Sequence, residues 1–135
     1  MGQQQLLLII LGVIVVGIAV AVGITMFNDS ATSSNRDAVT NDLVNLASRA
    51  QQYYRRPIAL GGGGGTFGTL QLRHLTKVSS GATSALNGNG SYSISSSGAT
   101  SVVLVGLGTE HAANGSAVSV EMTVWADSAK VTNSN

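Results

Sequence analysis

Residues Leu6–Met26 read LLLIILGVIVVGIAVAVGITM, and no side chain from Met1 to Asn28 carries a charge. At about 1.5 Å per residue an α-helix over these positions spans roughly 30 Å, the thickness of a bilayer's hydrocarbon core. A helix that is apolar on every side has no face to turn to water. It belongs in lipid or at the centre of an assembly, and that choice decides both fold and function.

The flank ahead of this run, Met1-Gly2-Gln3-Gln4-Gln5, has no Lys or Arg. A cleavable signal peptide needs a basic start and an apolar core of only about 7–15 residues. The run is therefore expected to stay in the mature protein, with a basic leader removed or omitted ahead of it. A single-pass anchor is the alternative. Such anchors carry Lys or Arg on the cytoplasmic flank, whereas the first basic residue here is Arg36, ten positions past the run.

Downstream, Asn28–Asn35 (NDSATSSN) is a polar bridge of weak helix formers. Arg36–Arg56 then places Val39, Leu43, Leu46, Ala50 and Tyr53 at spacings of 4, 3, 4 and 3, one face of an amphipathic helix. Asp37 and Asp42 near its start and Arg49, Arg55 and Arg56 near its end complement a helix dipole. Pro57 stops it. If the two halves join, the helix runs for about 75 Å. Tyr53 and Tyr54 are expected to pack the head at the helix end rather than to carry electrons, since the chain has few aromatics.

The five glycines Gly61–Gly65 predict a flexible connector. A phosphate-cradling loop is excluded, because no Gly-Lys-Ser/Thr follows. Thr69–Val78 is ambiguous between strand and short helix. Three strands are then predicted: Ser91–Ser95 after the turn Asn87-Gly88-Asn89-Gly90, Ser101–Leu107, and Ala117–Trp125 after the turn Asn114-Gly115. In the last, Val118, Val120, Met122 and Val124 share one face. Asp127–Asn135 is expected to be an edge strand or to fray. A one-faced antiparallel sheet needs a cover, and the Val39–Tyr53 face is the long helical face on offer. The fold class is α+β: a long N-terminal helix, apolar then amphipathic, on a small antiparallel sheet. The divisions are 1–28 apolar half-helix, 29–57 amphipathic half-helix, 58–90 Gly-rich loop and 91–135 sheet head.

Seven Lys/Arg against six Asp/Glu give a net charge of +1 with no basic run, which is no footprint for nucleic acid. There is no cysteine, so disulfides and thiolate metal sites are excluded. His74 and His111 are the two histidines. Glu110-His111 is expected in a solvated loop, and no His/Asp/Glu cluster has ligand spacing. No catalytic residue, cofactor or metal is expected, and the chain is read as no enzyme. Asn28, Asn89 and Asn114 begin Asn-x-Ser sequons. The hydroxyls of Ser30, Thr32, Ser33 and Ser34 are candidate O-glycosylation positions facing outward between packed heads.

This order of segments resembles the type IV pilin family. The carrying stretches are Leu6–Phe27 and the segment from Asp42-Leu43-Val44-Asn45-Leu46-Ala47 to Gln51-Gln52-Tyr53-Tyr54. Motif-level matching covers roughly the first 57 residues, and the architecture extends over the whole chain. The resemblance implies a prepilin peptidase that cleaves a leader, methylation of the new N-terminus (Met1 or Gln3), and residence in the inner membrane with the head outside. It further implies assembly by pilus machinery into an extracellular homopolymer with Gln5, Leu6, Leu7, Ile10, Gly12, Val16, Gly17, Val20 and Gly23 in its core. Three features depart from the family pattern. Gln5, or Leu7 in the second register, stands where the family has a glutamate. Val22 and Gly23 replace a proline, with Gly17 and Gly23 available to loosen the helix. The cysteine pair is missing. The missing carboxylate also fits a tip-initiating pseudopilin of a secretion apparatus. A monomeric, membrane-anchored surface-binding domain is the reading from outside the family.

Overall fold

The computed structural model describes residues 2–135. One helix, α1 (Gly2–Arg55), runs for 54 residues, about 80 Å, and lies across a single antiparallel sheet with its later half. Between helix and sheet come a 3-10 turn (Ile58–Leu60) and a one-turn helix, α2 (Leu72–Leu75). Five strands follow in chain order and in spatial order: β1 (Ala85–Leu86), β2 (Gly90–Ser97), β3 (Ser101–His111), β4 (Ala117–Trp125) and β5 (Ala129–Ser134). The α+β architecture is as the sequence leads one to expect.

The predicted helical face is the one that packs. Val39, Leu43 and Ala50 are fully buried, with Leu46 and Tyr53 beside them, and Ala47 joins the same face. Opposite them stand Val102 and Leu104 of β3 and the alternate residues Val118, Val120, Met122 and Val124 of β4. Burying side chains of this size stabilises the head by about 1.5–3 kcal/mol each relative to exposure. Phe67, Leu70 and Leu75 from the connecting segment close the end of the core.

Along β3 the inward side chains shrink from Val102 and Leu104 to Gly106 and Gly108. A Cβ at Gly106 would lie 2.6 Å from Val39 Cγ1, and one at Gly108 would overlap the Asn35 side chain. Helix and sheet therefore come closest at the Thr32–Val39 end of the head.

Five sequence expectations need correction or extension. First, the polar bridge Asn28–Asn35 does not interrupt α1. Thr32 Oγ1 donates to the His111 carbonyl (3.1 Å), and Asn35 Nδ2 donates to the Asn89 carbonyl (3.0 Å). The weak helix formers are held by the head, so tertiary contacts override their propensity. Gly17 and Gly23 also stay helical.

Second, Asp37 and Asp42 lie mid-helix rather than at a helix start. Asp42 is a tether: its Oδ2 accepts from Asn87 Nδ2 (2.8 Å), Asn89 Nδ2 (2.8 Å) and the Tyr92 hydroxyl (2.5 Å). Burial works to raise its pKa, but these three donors together outweigh burial and hold the carboxyl below its ordinary 3.8. The Tyr92 hydroxyl is pushed up by burial and by the same carboxylate.

Third, Gly61–Gly65 is no loose connector. Gly63, Gly64 and Gly65 donate to the carbonyls of Tyr53 (2.8 Å), Arg56 (3.0 Å) and Tyr54 (2.8 Å). These carbonyls lie at the helix end, where intrahelical donors run out. The glycine run is thus a C-terminal cap folded back on α1. At Gly63 a side chain would collide with the Thr66 carbonyl and the Tyr53 ring, which explains the residue there.

Fourth, the sheet gains a strand that was not expected, β1 inside the 58–90 loop, while of the two expectations for Asp127–Asn135 the edge strand is the one realised, as β5. The ambiguous stretch resolves as the short helix α2. Fifth, Glu110 and His111 belong to the end of β3, not to a loop. The pairing with β4 shifts register between Leu107 and His111 there, and this carries the β3–β4 end over the helix at Thr32.

Candidate assembly surface

The head begins to cover α1 at Thr32; everything before it projects. From Leu6 to Phe27 the large apolar side chains are exposed by between 51% (Val22) and 75% (Phe27). Val39 and Leu43, on the same helix, are at 0%. So even an exposure shows that no face of this half is covered within the chain. At the lower figure of about 1.5 kcal/mol each, these side chains represent roughly 20 kcal/mol relative to water, more than a typical domain's whole stability. The segment is long and apolar enough to cross a membrane.

Successive side chains are about 100° apart on a helix. On that count the head-packing residues Val39, Leu43, Leu46, Ala50 and Tyr53 cluster around one direction. Gln5, Gly12, Ala19 and Gly23 fall within about 20° of a line facing the opposite way. Val16 lies near this line. Leu6, Leu7, Ile10 and Gly17 point to the head side, and Val20 to one flank. The predicted core residues thus surround the helix instead of sharing a face. Gly17 does not extend the stripe of Gly12 and Gly23; Ala19 does, and reading the glycines alone misses it. Beyond each of the three glycines a Cβ would meet open space. Gln5 is exposed.

Among the candidate glycosylation residues, Ser30, Ser33 and Ser34 are exposed. Thr32 is not a free hydroxyl: it is buried and spent on the His111 carbonyl. Asp29 and Glu110 line a groove beside it, between α1 and the β3–β4 turn.

At the opposite pole of the head, Tyr53 stacks on His74 (centroids 4.7 Å, planes 21° apart), and its hydroxyl meets Thr69 Oγ1 at 2.9 Å. Tyr54 packs on Phe67 (4.7 Å). Both tyrosines are therefore packing residues of the head. His74 Nδ1 accepts from the Gln71 backbone (3.0 Å). Burial first, and the Arg73 charge second, hold its pKa below 6.5. Arg49, Arg56, Arg73 and Lys77 line a groove of about 470 Å³ here, and none of the residues lining it is acidic. Arg49 anchors one wall by donating to the Leu75 carbonyl (2.6 Å). Arg55 reaches the other way, to the Ala126 carbonyl (3.3 Å).

Among the described residues no group of three or more His, Cys, Asp or Glu is placed to hold a metal. No protein-family model matches the chain, and no curated protein or solved structure is detectably similar to it.

Proposed function

We propose that the chain is the structural subunit of an extracellular helical filament similar to a type IV pilus, held in the inner membrane by α1 before assembly. The observation that carries this reading is the contrast within α1: an apolar half exposed on every side, attached to a head whose own core is complete. Lipid tails and a bundle of Leu, Ile and Val are similarly apolar, so transfer from one to the other is near neutral in hydrophobic energy and packing decides. The small stripe Gln5–Gly12–Ala19–Gly23 faces away from the head, the side on which a neighbouring helix can approach closely. A repeated heterologous contact that does not close generates a filament.

Gln5 favours a second reading within the same architecture, a tip-initiating pseudopilin. A glutamine can accept a hydrogen bond from a neighbour's ammonium but supplies no opposing charge. A monomeric surface-binding anchor is the third.

Electron microscopy of filaments sheared from producing cells separates them. Thin fibres with this chain as the repeating subunit support the first reading. The chain at a fibre tip in single copies supports the second. A chain confined to the membrane fraction, indifferent to Gly12→Leu and Ala19→Leu, supports the third.

A further inference from the structure

Two grooves of opposite charge lie at opposite ends of the head. Arg49, Arg56, Arg73 and Lys77, four of the seven Lys/Arg, line the groove at the α2 end. Asp29 and Glu110 line the groove beside the β3–β4 turn, with His111 as its one basic group. The nearby Arg36 turns aside to the Asn135 carbonyl (3.1 Å). Asp29 and Arg49 are twenty residues apart, about 30 Å along α1.

The charged groups that α1 contributes also leave it on opposite sides. At about 100° per residue, Arg49 and Arg56 lie about 80–100° to one side of the head-packing direction and Asp29 about 80° to the other. Hydrogen bonds fix which flank is which. Arg49 reaches Leu75 on the α2 side, while Arg36 reaches Asn135 beside β5.

We infer that the basic groove receives the Asp29/Glu110 groove of the next copy of this chain, a contact that rests on the filament reading and sets how its subunits stagger. A two-fold dimer through either groove alone would bring like charges together, which disfavours it. Parallel neighbours displaced sideways and by roughly one head length bring unlike charges together, and the same step repeats without closing.

The test uses the full chain in producing cells and counts sheared filaments against subunit held in the membrane. Arg56→Glu with Arg73→Glu and Lys77→Glu, which leaves three carboxylates beside Arg49, and separately Asp29→Lys with Glu110→Lys, are each expected to lower filament yield about tenfold or more, since like charges then face each other. All five substitutions together restore opposite signs and are expected to recover filaments. These side chains are exposed, apart from the groove they line, so the membrane-held subunit should remain at its normal level.

A second measurement avoids substitution. Lys77 and Lys130 are the two lysines of the chain. Carbodiimide treatment of wild-type filaments should join Lys77 to Asp29 or Glu110 of a neighbour, read by peptide mass spectrometry.

Filament yield unaffected by either set of reversals, or wild-type filaments in which Lys77 links to neither carboxylate, overturn the inference while leaving the filament reading intact. Unaffected assembly would leave the basic groove to an external anion. Failure of the fivefold variant to recover, with both sets defective and the subunit stably held, also overturns it. Absence of wild-type filaments overturns both readings.

Discussion

The two halves of α1 share one backbone conformation and differ in what covers them. From Val39 to Tyr53 a buried side chain returns every three or four residues, and the sheet supplies its cover. From Leu6 to Phe27 every side is apolar and nothing in the chain covers it. The difference teaches where each half draws its stability. The second half is fixed by the head's core, whereas the first needs lipid or other copies of itself.

Substitutions matched across the two halves test that division. Trp125, the one tryptophan, reports head unfolding by fluorescence in detergent. Leu43→Ala should cost the head about 2–5 kcal/mol, because the cavity sits among fully packed neighbours. Ile10→Ala should leave head unfolding unchanged, and a comparable loss there would mean the halves are not separable.

Glycine replacement is next in size. Gly63→Ala forces an overlap at the cap and should destabilise by about 1–3 kcal/mol. Gly12→Ala has open space, and should raise helix propensity by up to about 1 kcal/mol without moving the head's midpoint.

The Asp42 tether sharpens the comparison further. Tyr92→Phe removes a hydrogen bond to a charged acceptor and should cost about 1.5–3 kcal/mol near neutral pH. The Asp42 carboxyl sits below 3.8 when folded, so its contribution is complete above that pH and is lost as pH falls through the lower folded value. Urea melts of wild type and Asp42→Asn should therefore differ at pH 6 and converge in acid. A difference that persists in acid would assign the effect to shape rather than charge.

The smallest effect is at the junction. Thr32→Val deletes the hydroxyl that reaches His111 and should cost about 0.5–1.5 kcal/mol. Ser33→Ala, one residue on and exposed, should stay within about 0.5 kcal/mol.

Periodicity made the helix face and β4 legible, because both bury a regular subset of side chains against one partner. Val39, Leu43, Leu46, Ala50 and Tyr53 all lie where that pattern puts them. Less of the rest could be read. The glycine cap depends on backbone donors, and a run of glycines reads alike whether it caps a helix or hangs free. Thr32 and Asn35 look like weak helix formers until the β3–β4 end and the β1–β2 turn supply their partners. Asp42 reads as a dipole charge, since its partners come from residues 87 to 92, far along the chain. The line of small residues facing away from the head was half legible: Gly12 and Gly23 are plain in the sequence, whereas Ala19 joins them only when the helical turn is counted through.

The shrinking of β3's inward side chains from Leu104 to Gly106 and Gly108 gives the head the form of a wedge. Its thin edge lies where the apolar half leaves and its thick end at the aromatic pole. The exposed hydroxyls of Ser30, Ser33 and Ser34 sit at that thin edge, so solvent reaches a hydroxyl-rich collar where the apolar shaft leaves the head.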